Sequence, residues 1–208
     1  MNKERLEALS DGVFAIVMTL SVFSIHIPAV PDGAYSTLGL WNALGALFPL
    51  IVSYVVSFTI LALYWTSHHA FFHFFTSTID QTLTQLNMLY LMFIVCIPFT
   101  AELLGKYHEN ILAVWIYGAN VLVLGAIFYG MYAYSTHSPN IELVPMTHHA
   151  KIQTIVRILL TPAFALLAMF AAFVSIPFAF FLFMLPAVFN IFPTALNKVE
   201  HLCGLTIK

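Results

Sequence analysis

Three histidines, His68, His69 and His73, give the spacing His-His-x-x-x-His. On a helix His69 and His73 would share a face one turn apart, and two imidazoles so placed can hold a transition metal. A membrane metalloenzyme of the di-iron kind would need several such boxes. The other histidine pair, His148-His149, has no acidic partner close in sequence. The histidines therefore leave two readings open, a metal site or residues that mark a membrane boundary. Of the acidic groups, Asp11 stands at the head of an apolar run, and Glu102 follows Pro98 near the end of another, where it reads as lining an outer vestibule or facing water rather than carrying protons. His26 and His108 read as interface residues on the same side as Glu102.

The motifs that are missing narrow the chemistry further. No Gly-x-Ser-x-Gly elbow or phosphate-binding glycine loop is present. No Thr-Val-Gly-Tyr-Gly stretch could form a carbonyl filter, and no Arg-rich helix could sense voltage. No acidic residue falls at mid-span to couple protons to transport.

The elements that position these residues follow from composition. With 61% hydrophobic and 8% charged residues over 208 positions, the chain cannot cover a water-soluble surface. It reads as an all-α integral membrane protein, and a net charge of −2 without clustered Lys or Arg argues against nucleic-acid partners. Cys96 falls in an apolar run and Cys203 in the tail, so a structural disulfide is not expected. Spans of roughly 20 apolar residues are expected near 10–28, 42–65, 84–104, 112–134, 155–174 and 176–196, in one domain covering 1–208. Asp11 at its head and the lack of a small-residue cleavage site make the first run a retained span rather than a signal peptide. Pro28 to Gly33 breaks the chain after it, and the segment from Ser135 to Gln153 is expected to be the longest loop. Ser175-Ile176-Pro177 is the expected hairpin between the last two spans, a single re-entrant segment being the alternative.

Six of the seven basic residues, Lys3, Arg5, Lys151, Arg157, Lys198 and Lys208, then lie on one side, and only Lys106 lies opposite. Short basic loops stay cytoplasmic, so both termini are expected inside. Asp11 would sit roughly 9 Å deeper than Arg5 at about 1.5 Å per residue, where a carboxylate needs partners. The second run ends, and the third begins, at the same level. Arg5, Ser10, Asp11, Trp65, His68 and Asn87 are therefore expected to form a polar network tying the first three spans together; separate interfacial anchors are the alternative. Beyond Asp11, Ile16, Leu20, Phe23 and Ile27 recur at three- and four-residue steps with Thr19 on their edge. Such a stripe can face lipid, pack on a neighbour, or narrow a path until water leaves it.

Arg5, Ser10 and Asp11, with Trp65-Thr66-Ser67-His68, Asn87 and Ile97-Pro98-Phe99, resemble the bacterial branch of the transmembrane protein 175 family, lysosomal-type potassium channels whose first span opens on Arg-x-x-x-Phe-Ser-Asp. Leu9 stands here in place of the Phe. The resemblance is strong over the first half of the chain. It implies a six-span subunit, a homotetramer around a central pore lined by the first helix, and passive conduction that prefers potassium to sodium without chemistry or cofactor. It also implies a constriction at Ile16, Leu20 and Phe23, Thr19 as a selectivity candidate, and the polar network as the structure that holds the pore helix. The site implied is the plasma membrane of a prokaryote.

A membrane metalloenzyme using the histidine cluster and a small-solute carrier are the competing readings. The channel reading expects purified protein to carry no stoichiometric iron or zinc and His69→Ala to leave its metal content unchanged, which elemental analysis checks.

Overall fold

In a computed structural model, residues 2–26, 37–144 and 148–191 are described, with side chains from 154 to 189 in the last stretch. Eight α-helices account for nearly all of them: α1 Lys3–Leu20, α2 Thr37–Ala46, α3 Phe48–Ala70, α4 Gln81–Val95, α5 Ile97–Lys106, α6 Ile111–His137, α7 His148–Ala171 and α8 Ile176–Ile191. Each start that leaves its first N–H groups unbonded within the helix finds a local acceptor where the sequence supplies one. Asp80 Oδ1 accepts from Leu83 N at 2.8 Å, Asn110 Oδ1 from Leu112 N at 2.9 Å, and Asn2 Oδ1 from Glu4 N at 3.4 Å. Five helical stretches are long and apolar enough to cross a membrane: Lys3–Ser24, Phe48–Phe75, Gln81–Lys106, Ile111–His137 and Thr154–Ala171; Ile176–Phe189 is a shorter apolar sixth.

The boundaries depart from the sequence reading in ways that have physical causes. The first helix starts seven residues before position 10, at its Asn2 cap, and tightens to a 3-10 turn over Ser21–Ser24. There Ser21 Oγ donates to Val17 O at 2.7 Å and Ser24 Oγ to Ser21 O at 2.8 Å, drawing carbonyls from the helical ladder. The second span begins at Phe48 rather than 42, because Leu47 separates it from α2 and Pro49 suits only a first turn. It also runs ten residues past Trp65. A wide π-turn over Phe71–Phe75 carries it on, burying Phe71, Phe72 and Phe75. The third span is jointed at Cys96, two residues before Pro98. Proline has no N–H for the preceding turn, and Asn120 on α6 donates across the joint to Phe93 O at 3.4 Å.

The expected long loop is shorter than 135–153, since α6 runs to His137 and α7 begins at His148. What lies between is partly pinned. Thr76 and Leu143 form an antiparallel bridge, with Ser77 N donating to Glu142 O at 2.7 Å and Val144 N to Phe75 O at 3.0 Å. Tyr134 also donates to Asp80 Oδ2. The turn at Ala172–Ser175 closes α7 and α8 into a hairpin packed side by side, with Ser175 N donating to Ala171 O at 2.9 Å. Lys151, the pair His148-His149, Ile27, the Pro28–Gly33 break, residues 192–196 of the sixth span, Lys198, Cys203 and Lys208 lie outside the described residues or their described side chains.

The core is built around α3 and α6. α6 packs on α4, α5 and α7, and α3 packs on α5 and α8, while α1 lies outside against α3, α4 and α5. Several polar groups within this core find partners across the helices, as hydrocarbon offers none, while Tyr90 OH and Ser135 Oγ make no hydrogen bond among the described residues. Tyr64 OH donates to Val121 O at 2.7 Å, and Ser57 Oγ donates to Tyr117 OH at 3.1 Å. The close approach of α6 and α7 depends on Gly118 and Gly125, one side of α6 two turns apart: a Cβ at Gly125 would lie 2.6 Å from Pro162 Cγ, and one at Gly118 2.5 Å from Met169 Cγ. Small residues in this role let membrane helices meet backbone to backbone. Gly125→Val should therefore lower stability by about 1–3 kcal/mol through overpacking. An unchanged melting temperature in detergent would show that α6 and α7 can separate freely.

Candidate functional site

α1 has two unlike faces. Leu6, Ser10, Phe14 and Val17, then Ser21, follow one another at steps of four, four, three and four residues and are all buried. That spacing keeps one side of an α-helix against the bundle. The other side carries Leu9, Gly12, Ala15, Ile16, Thr19 and Leu20, all exposed in the single chain.

The buried face is held by a one-directional chain of hydrogen bonds. Ser10 Oγ donates to Leu6 O at 2.9 Å, so its lone pair is free to accept from Asn87 Nδ2 at 3.1 Å. Asn87 Oδ1 must then accept, and His68 Nε2 lies 2.7 Å away, which assigns the Nε2–H donor to His68. Ser10, Asn87 and His68 are 0%, 0% and 2% exposed. Aromatic rings close around them. Tyr90 stacks on the His68 imidazole with centroids 5.6 Å apart and planes 7° from parallel, Phe72 lies 4.7 Å away, and Phe14 lies 5.8 Å away. One turn back along α3 from His68, at an exposed position, Trp65 Nε1 donates to Asp11 Oδ1 at 2.8 Å. Ser10 and Asp11 on α1, Trp65 and His68 on α3 and Asn87 on α4 thus form two separate links at adjacent levels. Arg5 joins neither; it is exposed, with no hydrogen bond or ion pair among the described residues.

A further tie was not legible in the sequence. Lys3 Nζ donates to Thr76 O at 2.7 Å, tethering the start of α1 to the bridge beyond α3. A backbone carbonyl leaves no sequence signature. Phe14, by contrast, was within reach, since it stands one turn from Ser10 on the same face.

Ile16, Leu20 and Phe23 are 58%, 51% and 69% exposed. Leu20 and Phe23 lie three residues apart across the entry into the 3-10 turn, where side chains at that spacing eclipse, so the stripe stays in line to its end. These three side chains line an open groove of ≈ 630 Å³ whose far wall is Val95, Pro98 and Phe99 and whose mouth holds His26 and Glu102. Thr19 Oγ1 lies 2.9 Å from both Ala15 O and Ile16 O. Its single proton is spent on its own helix, so outward it offers only an acceptor oxygen.

The histidine cluster divides between environments. His68 is turned into the core against Asn87, while His69 and His73 are exposed and stack on each other, 5.3 Å apart and 10° from parallel, with Trp65 stacked on His69. Among the described residues no three His, Cys, Asp or Glu side chains come together as a metal site.

A bundle of six apolar helical stretches, with polar groups bonded across its inside and apolar side chains over its outside, defines a multi-span helical membrane protein. The family model described as endosomal/lysosomal potassium channel TMEM175 matches residues 5–98 of this chain, which include every residue of the two links and the exposed stripe. A potassium channel of Streptomyces collinus is 42% identical over 103 residues, 50% of this chain and 48% of that protein. The mouse endosomal/lysosomal proton channel TMEM175 is 41% identical over 104 residues, 47% of this chain and 20% of that protein. The matched stretch thus spans about half the length of the Streptomyces relative, and less of the mouse one. The crystal structure of a lysosomal potassium-selective channel TMEM175 homolog from Chamaesiphon minutus superposes with a TM-score of 0.77 at 25% identity, covering 90% of this chain and 95% of that one. The likeness of fold therefore continues through α6, α7 and α8, beyond the family match.

Asn87 is the only member of the buried chain that both donates and accepts between helices. Asn87→Leu should destabilise the protein by about 1–3 kcal/mol, by stranding the His68 donor. Trp65→Phe, at an exposed bond, should cost no more than about 1 kcal/mol. Thermal unfolding in detergent ranks the two, and equal losses would deny the buried chain its larger role.

Proposed function

We propose that four copies of this chain assemble around a central pore lined by α1 and conduct cations passively, potassium in preference to sodium, with Ile16, Leu20 and Phe23 as the constriction. One observation carries the reading. α1 buries its polar-anchored face against its own bundle and leaves a straight apolar stripe, more than half exposed, on the opposite side. A lipid-facing helix needs no Ser10, Asp11 and Lys3 ties to fix its rotation. A pore helix does, because its narrowest layer is set by which side chains point inward.

Thr19 supplies the acceptor oxygen next to that layer, the polarity a partly dehydrated cation requires. The network of Ser10, Asp11, Trp65, His68 and Asn87 serves as scaffold and not as an ion site, since Ser10, Asn87 and His68 are buried and bonded to one another and Asp11 Oδ1 is held by Trp65. Lys3 and Arg5 lie at the end of the bundle where α3 finishes and α4 begins, and exposed Arg157 lies in the first half of α7, which starts from that end. Lys106 lies at the other end. This supports cytoplasmic termini in the plasma membrane of a prokaryote. A metalloenzyme is disfavoured by His68, whose ring points away from the stacked His69 and His73.

Relatives carry both potassium and proton in their names, so the assay needs three arms. Reconstituted protein should pass potassium faster than sodium in liposome flux measurements, with a proton arm run in parallel. Ile16→Ala or Leu20→Ala should raise potassium flux by about tenfold, equivalent to about 1.4 kcal/mol removed from the barrier. If neither changes the flux, the stripe does not line the pore; a saturable solute flux independent of ions would make the protein a carrier.

A further inference from the structure

At the end of the bundle away from the polar links, two hollows adjoin. One is a slot of ≈ 370 Å³ between the starts of α3 and α8, walled by Phe48, Val52, Phe180, Phe181 and Met184. The other is a polar hollow of ≈ 550 Å³ on the turn from α5 to α6, lined by Lys106, Tyr107, His108, Glu109 and Asn110. His108 and Ile176 line both, which makes them one crevice with an apolar depth and a polar mouth.

We propose that this crevice binds an anionic phospholipid, its headgroup phosphate on Lys106 at the turn from α5 to α6 and one acyl chain in the slot between α3 and α8. The depth suits a chain: from Ile176 to Met184 the slot follows about two turns of α8, roughly 12 Å at about 1.5 Å per residue. Its mouth lies at the end of the bundle, beside the starts of α6 and α8. The mouth suits an anion. Lys106 has no carboxylate within ion-pair reach among the described residues, and the starts of α6 and α8 present the positive ends of their dipoles there. The one carboxylate in the hollow, Glu109, stands 92% exposed at the rim with its Oε1 4.0 Å from His108 Nε2, turned to water. A free phosphate would use only the mouth, and a neutral ligand only the slot; a charged headgroup on an acyl chain uses both.

The proposal does not depend on the channel reading, because its readout is lipid retention. Purified full-length protein is offered equal amounts of dioleoyl phosphatidylglycerol and dioleoyl phosphatidylcholine, and bound lipid is counted by native mass spectrometry, with glycerol 3-phosphate as the headgroup alone. The wild type should retain phosphatidylglycerol about fivefold better than phosphatidylcholine, the preference one lysine near a membrane surface confers. Lys106→Gln should abolish the preference, Lys106→Arg should keep it, and Met184→Trp, which fills the slot, should reduce retention of both lipids. Melting temperatures identify any variant that has failed to fold, and Lys106, exposed at a helix end, can be replaced without disturbing the core. The proposal is overturned if Lys106→Gln retains the preference, if glycerol 3-phosphate competes as well as intact lipid, or if Phe181→Cys forms disulfide-linked dimers in membranes, which would put a second copy in the slot.

Discussion

The carboxamide of Asn87 holds the first three membrane helices in register. Its nitrogen gives to Ser10 on α1 and its oxygen takes from His68 on α3, while its own backbone belongs to α4. In hydrocarbon a carboxamide with one half unmet is costly, so the three helices can satisfy it only in one mutual rotation. The direction of the chain adds a second constraint. Because Ser10 has already given its proton to Leu6 O, reversing Asn87 would set donor against donor and acceptor against acceptor. The aromatic rings of Phe14, Phe72 and Tyr90 shut this chain away from water, and a low local dielectric makes each bond count for more.

The rest of the bundle follows from that fixed corner. α3 brings Tyr64 and Ser57 to α6, and the joint at Cys96 is covered by Asn120 from the same helix. α6 in turn receives α7 through two glycines. α3 and α6 thus lie at the centre, joined to each other by these hydrogen bonds and through α5, with the other helices laid around them. Like the other outer helices, α1 leaves an apolar face unclaimed by its own chain, but its inner face is the one fixed by the Asn87 link.

Much of this could be read from residue types. Asn and Asp are poor lipid-facing residues, so Asp11 and Asn87 announced partners, and the distribution of Lys and Arg put Trp65 and His68 at their level. What residue type does not reveal is pairing. Asp11 takes Trp65 while Asn87 takes His68, and Arg5, whose long side chain reaches water from the first turn, takes neither. Boundaries were harder for a related reason. Phe71–Phe75 continues a run that the sequence places past the membrane, because burial against α6 rather than lipid keeps it helical; Phe128 lies 5.7 Å from Phe71 there. The bridge from Thr76 to Leu143 is made of backbone groups alone, and no pattern of side chains encodes it.

Among the described residues, every hydrogen bond from α1 to another element lies between Lys3 and Asp11; past that point it meets its neighbours only through apolar contact. Hydrogen bonds fix direction, whereas apolar contacts tolerate sliding. Mechanically the helix is a lever with its bearing at one end. From Asp11 to Phe23 the arm is about 20 Å long, counting helical and 3-10 rises. A tilt of about 5° about the bearing therefore sweeps Phe23 through about 1.7 Å and Ile16 through only about 0.7 Å. The layers along the stripe are unequal in reach, and the widest excursion falls to the bulkiest side chain.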